Sequence, residues 1–298
     1  MKTPLKILTG GLLLMSLSAK AQMPNDAIYM AKGSVCIAGM YGRSTWNEYW
    51  EGSLKRHNEN IGTLTTQNVM VMPAIGISRR VNLLLSLPYV WTEASAGNLM
   101  GQKGIQDLSA WVKIKTVQAG GFSLHTILGG SLPASNYVPD FLPMSIGLRA
   151  RTATGRLLAS YKHPKTGIYL TAYGTYNWRS TIKVDRDAYV ANNRLYNTNE
   201  VSVPNTYDAS VKLGILRRKW QTEIFAERMG GLTGDDIRRN DMPFPTNNME
   251  ATSVGWYGKV QPRHIGVNAR IGYVLDGRNV GQSTSYTVGL LYQIDFKK

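Results

Sequence analysis

The stretch Thr284-Ser-Tyr-Thr-Val-Gly-Leu-Leu-Tyr-Gln-Ile-Asp-Phe296 decides the fold. Tyr286, Val288, Leu290, Tyr292, Ile294 and Phe296 share one parity, and Ser285, Thr287, Gly289, Leu291, Gln293 and Asp295 share the other. Side chains of a strand alternate between faces, so this is a ribbon with an apolar side and a mostly polar one. A helix would spread both sets around its circumference, and Thr, Val, Tyr and Ile favour extended backbone. Aromatic rings sit near both ends of the apolar side, at Tyr286 and at Tyr292 and Phe296. That layout suits a strand crossing lipid with its rings at the two interfaces.

The other end of the chain carries an export address. Lys2 and Lys6 precede an apolar run, Ile7–Leu17, and the small-x-small site Ala19-Lys20-Ala21. Residues 1–21 therefore read as a signal peptide, with the mature chain starting at Gln22. The apolar run is shorter than the roughly 20 residues a spanning helix needs, and Gln22 is no lipid-anchor cysteine. A mean hydropathy of −0.21 does not fit a helical membrane protein. It fits a barrel, where only alternate residues meet lipid. The single cysteine, Cys36, excludes an internal disulfide framework and reads as a small residue of the first strand. Loss of Lys2, Lys6 and Lys20 lowers the net charge from +15 to +12. An exported chain this basic has lipopolysaccharide phosphates and anionic solutes, not nucleic acid, as its candidate partners.

Between these ends, extended segments alternate with connections that are themselves alternately short and long. Ser78–Arg80, Val117–Gly121, Lys162–Thr166, Arg217–Lys219 and Gln261–His264 are short; Lys183–Asn205 and Gly230–Met249 are the longest. The pattern predicts an all-β chain: an antiparallel transmembrane β-barrel of about 12 strands over residues 33–298, with short periplasmic turns and longer extracellular loops. Residues 22–32 form a periplasmic N-terminal segment that could enter the barrel opening. Gly33–Trp50, the first segment, alternates poorly, and its faces are not assignable. Ser145–Tyr161 reads as one strand, with a bulge at Gly155-Arg156 where alternation breaks. Asn192–Asn199 reads as a polar, mobile stretch. Aromatics cluster at both ends of the apolar faces, with Tyr89, Trp178 and Tyr273 towards the long loops and Phe122 and Trp220 towards the short turns.

Charge follows parity. From Ile105 onward, the apolar side of each strand is free of charge except for Arg228, near a strand end. A Lys or Arg facing lipid at mid-depth costs about 2–4 kcal/mol, which accounts for the segregation. The opposite parity supplies the candidate lumen lining: Lys113, Lys115, His125, Arg149, Arg151, Tyr169, Tyr173, Arg179, Lys212, Glu223, Glu227, Lys259 and Arg270. Two readings of this set stay open. Internal ion pairs could fill a narrow barrel, or a basic constriction could favour anionic or aromatic-acid solutes, with Tyr169 and Tyr173 adding stacking surface.

No constellation of residues specifies catalysis. Ser123 and His125 share a strand face, but no acid is placed to orient the imidazole. The twelve-stranded outer-membrane phospholipase is the enzyme of comparable size, and its His-x-Ser-Asn-Gly signature is absent. Asp235, Asp236, Asn240 and Asp241 offer oxygen ligands without an EF-hand spacing and read as a solvated loop. No cofactor is implied.

Two resemblances add to this. A closing strand that ends in Phe296 resembles the terminal insertion signal of outer-membrane barrels, although Lys297 and Lys298 follow it. Gly76-Ile-Ser-Arg-Arg-Val-Asn-Leu83 with Leu85-Ser-Leu-Pro-Tyr89 resembles the turn and strand of outer-membrane transporters linked to meta-pathway phenol degradation. Gly104-Ile-Gln-Asp-Leu108 followed by Lys113, and Gly130-Ser-Leu-Pro133, are similar to two further motifs of that family, with Gln106 in place of a glycine and Ala134 departing after the proline. The likeness is confined to Ala74–Pro133 and implies passive uptake of small, often aromatic compounds. The expected function is thus an outer-membrane channel for small solutes. The alternative is a closed structural or adhesive barrel whose loops bind a partner or lipopolysaccharide.

Overall fold

The computed structural model describes residues 22–239 and 241–296; the signal peptide expected at 1–21, with Asn240, Lys297 and Lys298, lies outside them. No helix occurs among the described residues. Twelve long strands form the wall: β1 (Ser34–Trp46), β2 (Leu64–Gly76), β3 (Val81–Ala94), β4 (Asp107–Ala119), β5 (Phe122–Pro133), β6 (Thr152–Lys162), β7 (Ile168–Arg179), β8 (Thr206–Leu216), β9 (Trp220–Gly231), β10 (Glu250–Val260), β11 (Ile265–Arg278) and β12 (Thr284–Asp295). Each pairs antiparallel with the next, and β1 pairs with both β2 and β12. The closing register sets Ile37 opposite Tyr292 and Tyr41 opposite Val288. The ring leaves no edge, as an antiparallel sheet in lipid requires.

Connections 77–80, 120–121, 163–167, 217–219 and 261–264 lie at one end, together with the start of β1 and the end of β12. The longer connections, including 47–63, 134–151, 180–205 and 232–249, lie at the other. The outer surface is apolar: Leu290 is 67% exposed, Leu157 61%, Ile224 60% and Val211 53%. Arg228 is the charged residue expected on this side. Its guanidinium donates to Glu250 (2.8 Å), Thr252 (3.1 Å) and the Tyr207 hydroxyl (3.3 Å) at the long-loop end.

Three expectations need correction. β6 starts at Thr152, so Ser145–Arg151 belongs to a connection, and Arg149 there takes a left-handed φ of 56°. Arg156 sits in no bulge; it pairs in unbroken register with Thr175 on one side and Ile127 on the other, and points inward. The register shifts fall instead at Lys115/Val117 and Thr252/Ser253. Asn192–Asn199 is not simply a polar tract, because Tyr189–Ala191 and Arg194–Tyr196 pair as a ribbon across Asn192-Asn193. Both asparagines have positive φ (49° and 60°), the backbone a two-residue hairpin turn demands.

The poor alternation of the first strand also has a cause. Cys36, Ala38 and Met40 point inward and pack with Met30, Met72, Ala74, Leu84 and Leu291. Both faces of β1 are apolar, so the polarity contrast that reveals a strand is missing. The short ribbon Glu48–Glu51/Leu54–His57 follows it.

The wall predicts its own sensitivity. Val211→Lys, mid-strand on the lipid side of β8, should lower the unfolding free energy by about 2–4 kcal/mol in denaturant titrations from lipid vesicles. Ile265→Lys, at the first residue of β11, should cost about 1 kcal/mol or less. Equal costs at the two positions would contradict lipid contact.

Candidate functional site

Residues Gln22–Lys32 run inside the wall, and one cation organises them. Lys113 of β4 has no solvent exposure. Its Nζ donates to Asp26 Oδ1 (2.7 Å) and to the carbonyls of Met23 (3.1 Å) and Ile28 (3.0 Å), so all three N–H bonds are engaged. Asp26 in turn accepts from the backbone N–H of Met23 (2.7 Å) and of Ile28 (2.8 Å). The carboxylate thus both folds the segment into a turn and neutralises the lysine. Without a partner a buried ammonium would be several kcal/mol too costly to keep charged.

The rest of the segment spans the interior. Tyr29 OH meets His125 Nδ1 at 2.9 Å, its ring stacks on the imidazole at 5.3 Å, and Lys115 Nζ lies 4.9 Å from the ring centre. The other imidazole nitrogen meets Ser123 Oγ at 2.9 Å. Met30 enters the apolar cluster on β1, β2, β3 and β12, while Ala27 packs by Ile127, Leu158 and Tyr173 on the opposite side. At Gly76 a Cβ would stand 1.9 Å from the Ala31 carbonyl oxygen, so only glycine lets the segment's backbone pass β2.

Beyond Asp26 the inward charges pair. Lys212 and Glu223 stand 3.6 Å apart, both buried, and Glu223 also accepts from the Tyr169 hydroxyl and Gln221. Arg270 bonds Glu227 at 2.6 Å and covers the Phe225 ring at 3.7 Å. Arg156 pairs with Asp208 at 3.2 Å, takes Thr175 at 2.6 Å and lies 4.4 Å over the Tyr173 ring. Tyr173 reaches Glu227 at 3.4 Å.

The long-loop end is covered by connection 134–151. Tyr137 and Ile146 pack on inward Val90, and Thr92 Oγ1 donates to the Met144 carbonyl at 2.7 Å. Tyr137 OH donates to Asp107 at 2.6 Å. Burial and the Asp107 carboxylate push its phenol well above the ordinary tyrosine value.

Of the expected set, the interior brings together Lys113, Lys115 and His125 around Tyr29, and Tyr169, Tyr173, Lys212, Glu223, Glu227 and Arg270 in the pairs above. Lys259 is buried on β10, and Arg179 ends β7 with Asp107 as counter-charge. Arg149 and Arg151 are elsewhere, in the connection, with backbone N–H groups bonded to Tyr137 OH (2.9 Å) and Ser180 Oγ (3.0 Å). Arg156, Asp26 and Tyr29 belong to the site and were absent from the set. Thr152, Thr154, Arg156 and Ser160 share one parity, a signal hidden by starting the strand too early; Pro24-Asn25-Asp26 is a turn signature.

Two other candidates have local explanations. Asp235 accepts from Thr246, Asn247 and the Asn192 backbone, and Asp236 from Arg278 and Asn279, so these carboxylates brace their loops. Asn240 lies outside the described residues. The Ser123–His125 contact ends on a phenol, not on a carboxylate.

No family model and no curated protein matches this chain. Among solved structures, an outer membrane channel from Pseudomonas putida F1 superposes with a TM-score of 0.73 at 14% identity, over 92% of this chain and 100% of that one. The fold is shared. The translocator domain of the autotransporter NalP from Neisseria meningitidis gives a TM-score of 0.49 at 15% identity, covering 88% and 89% of the two chains, and the NanC porin 0.48 at 9%, covering 87% and 100%. With the P. putida channel this chain shares the architecture of a closed antiparallel barrel, here of twelve strands.

Lys113→Met should expose the importance of the buried pair. Leaving Asp26 buried without its cation costs about 3–5 kcal/mol, enough to expel the segment. Limited proteolysis should then cut at Lys32 while the barrel keeps its heat-dependent gel shift. Lys113→Met with Asp26→Asn should restore much of the protection, because the neutral amide carries no orphaned charge and its oxygen can still accept a backbone N–H of the turn.

Proposed function

We propose that this chain is an outer-membrane channel that lets small solutes pass by diffusion, without chemistry on them, and that residues 22–32 obstruct the path at rest. The observation that carries the reading is a barrel interior lined by charged and hydroxyl side chains under a removable segment of the chain itself. Barrels of about eight strands are filled by their own side chains, and those of about 16–18 leave an aqueous channel. Twelve lies between, so the occupant decides whether there is a path. The P. putida structure is described as an outer membrane channel, which supports the same reading. Export through a cleaved signal peptide and residence in the outer membrane, with lipopolysaccharide around the Arg228 end of the wall, belong to this proposal. Aromatic or anionic solutes suit the inward tyrosines and bases, in keeping with the resemblance to transporters linked to phenol degradation.

A second reading draws on a specific observation. Lys113, Lys212, Arg156 and Arg270 are all matched by carboxylates, as in a barrel stabilised from within that passes nothing. Planar-bilayer recording separates the two. The channel reading predicts small conductance for the mature chain and a several-fold larger, anion-preferring conductance once residues 22–32 are deleted. Silence from both forms, each verified as folded, would leave the structural barrel.

A further inference from the structure

Four of the five short turns carry exposed bases. Arg79 and Arg80 stand in 77–80, Lys165 in 163–167, Arg218 and Lys219 in 217–219, and Arg263 in 261–264. Among the described residues, none of these six forms an ion pair with a carboxylate. The acids nearest to them along the strands are engaged elsewhere. Glu223 is buried beside Lys212 at 3.6 Å, and Asp295 accepts from Gln293 at 2.8 Å and lies 4.0 Å from His264. The long-loop end differs, since Lys55, Arg56 and Arg186 there meet Glu48, Glu51 and Asp140. Acids and bases mix at that end, while the short-turn rim carries bases in excess.

The wall sets the depth of this rim. Phe122, Tyr161, Trp220 and Tyr292 are exposed at the short-turn end of the apolar surface. Trp220 follows Lys219 directly, Phe122 pairs with Tyr161, and Tyr292 pairs with Ile265, two residues after Arg263. Rings of this kind sit at headgroup level. One or two residues beyond them is roughly 3–7 Å, which leaves the bases within the polar layer that flanks the hydrocarbon core. The turns join β2 to β3, β6 to β7, β8 to β9 and β10 to β11, so the bases are spread around the barrel. A folded partner would touch one flank; a leaflet of lipid touches all of them.

We propose that the short-turn rim is a docking surface for anionic phospholipid headgroups, which it prefers to zwitterionic ones. Guanidinium and ammonium groups make charge-assisted hydrogen bonds to a lipid phosphate. A zwitterionic headgroup also brings an ammonium, for which this rim has no carboxylate to spare. Phosphatidylglycerol brings none. Each base close to an anionic surface contributes about fivefold in partitioning. Because the six residues are exposed, salt screens that attraction. The inference needs the wall to lie in lipid, but it does not depend on whether any solute crosses the barrel.

Electron spin resonance of the mature chain in phosphatidylcholine vesicles tests this, with spin-labelled phosphatidylglycerol and spin-labelled phosphatidylcholine as probes of the lipid held at the protein surface. Phosphatidylglycerol should be held at least about threefold more strongly at low salt, with the preference fading in about 1 M salt. Arg80→Gln with Arg218→Gln should reduce the preference at least about twofold while the barrel keeps its heat-dependent gel shift. Arg194→Gln with Arg239→Gln removes the same charge from the long-loop end and should leave it unchanged. Equal retention of the two lipids, a preference indifferent to salt, or double variants that behave alike would each overturn the proposal. Retention of the protein on peptidoglycan without any lipid preference would overturn it in favour of an acidic polymer. Bilayer recording on the same preparation is independent of this outcome. Conductance without lipid preference removes the docking surface alone, and lipid preference without conductance removes the channel alone.

Discussion

No backbone amide can stay unpaired in hydrocarbon, and the whole molecule follows from that. The sheet must close, so β1 bonds to β12 as well as to β2. Closure fixes the parity of every strand, and parity divides the side chains into a lipid-facing set and an enclosed set. The lipid-facing set is apolar throughout its middle. Arg228, which lies on this side at a strand end, is satisfied by Glu250, Thr252 and Tyr207.

The enclosed set faces the opposite problem. Twelve strands surround more space than their own side chains fill, and the inward residues include many charges. Two solutions coexist. On the side of β6 to β11, Arg156 and Arg270 meet carboxylates two strands away and lie over tyrosine and phenylalanine rings, and Lys212 meets Glu223 of the adjoining strand. On the side of β1 to β4, an apolar patch and a buried lysine face inward, and the N-terminal segment supplies what each lacks: Met30 for the patch and Asp26 for Lys113. The segment is thus complementary to the wall on both sides of the barrel.

Much of this was legible from the residues. Thr284–Phe296 reads as a strand because its two parities differ so sharply, and β7 and β11 read the same way. The alternation of connection lengths gave the strand number and the placement of both termini. The failures have physical reasons. β1 hides because the N-terminal segment makes its inner face as apolar as its outer one. Arg149 and Arg151 looked inward because alternation was carried back through a connection, and that same misplaced start disguised Arg156 as a bulge. Asp26 and Tyr29 have no periodicity to reveal them; their role exists only once the ring has closed around them. A lone acid in Pro24-Asn25-Asp26 gives a turn and says nothing of a lysine 87 residues further on.

Residues 22–32 are held within the ring by the Lys113–Asp26 pair. Hydrogen–deuterium exchange of the mature chain in lipid nanodiscs tests it most directly. The amides of Met23 and Ile28, both bonded to Asp26, should exchange at least about two orders of magnitude more slowly than in a free peptide, like amides of the barrel wall. Exchange of both at the free-peptide rate, with the wall still protected, would contradict the account.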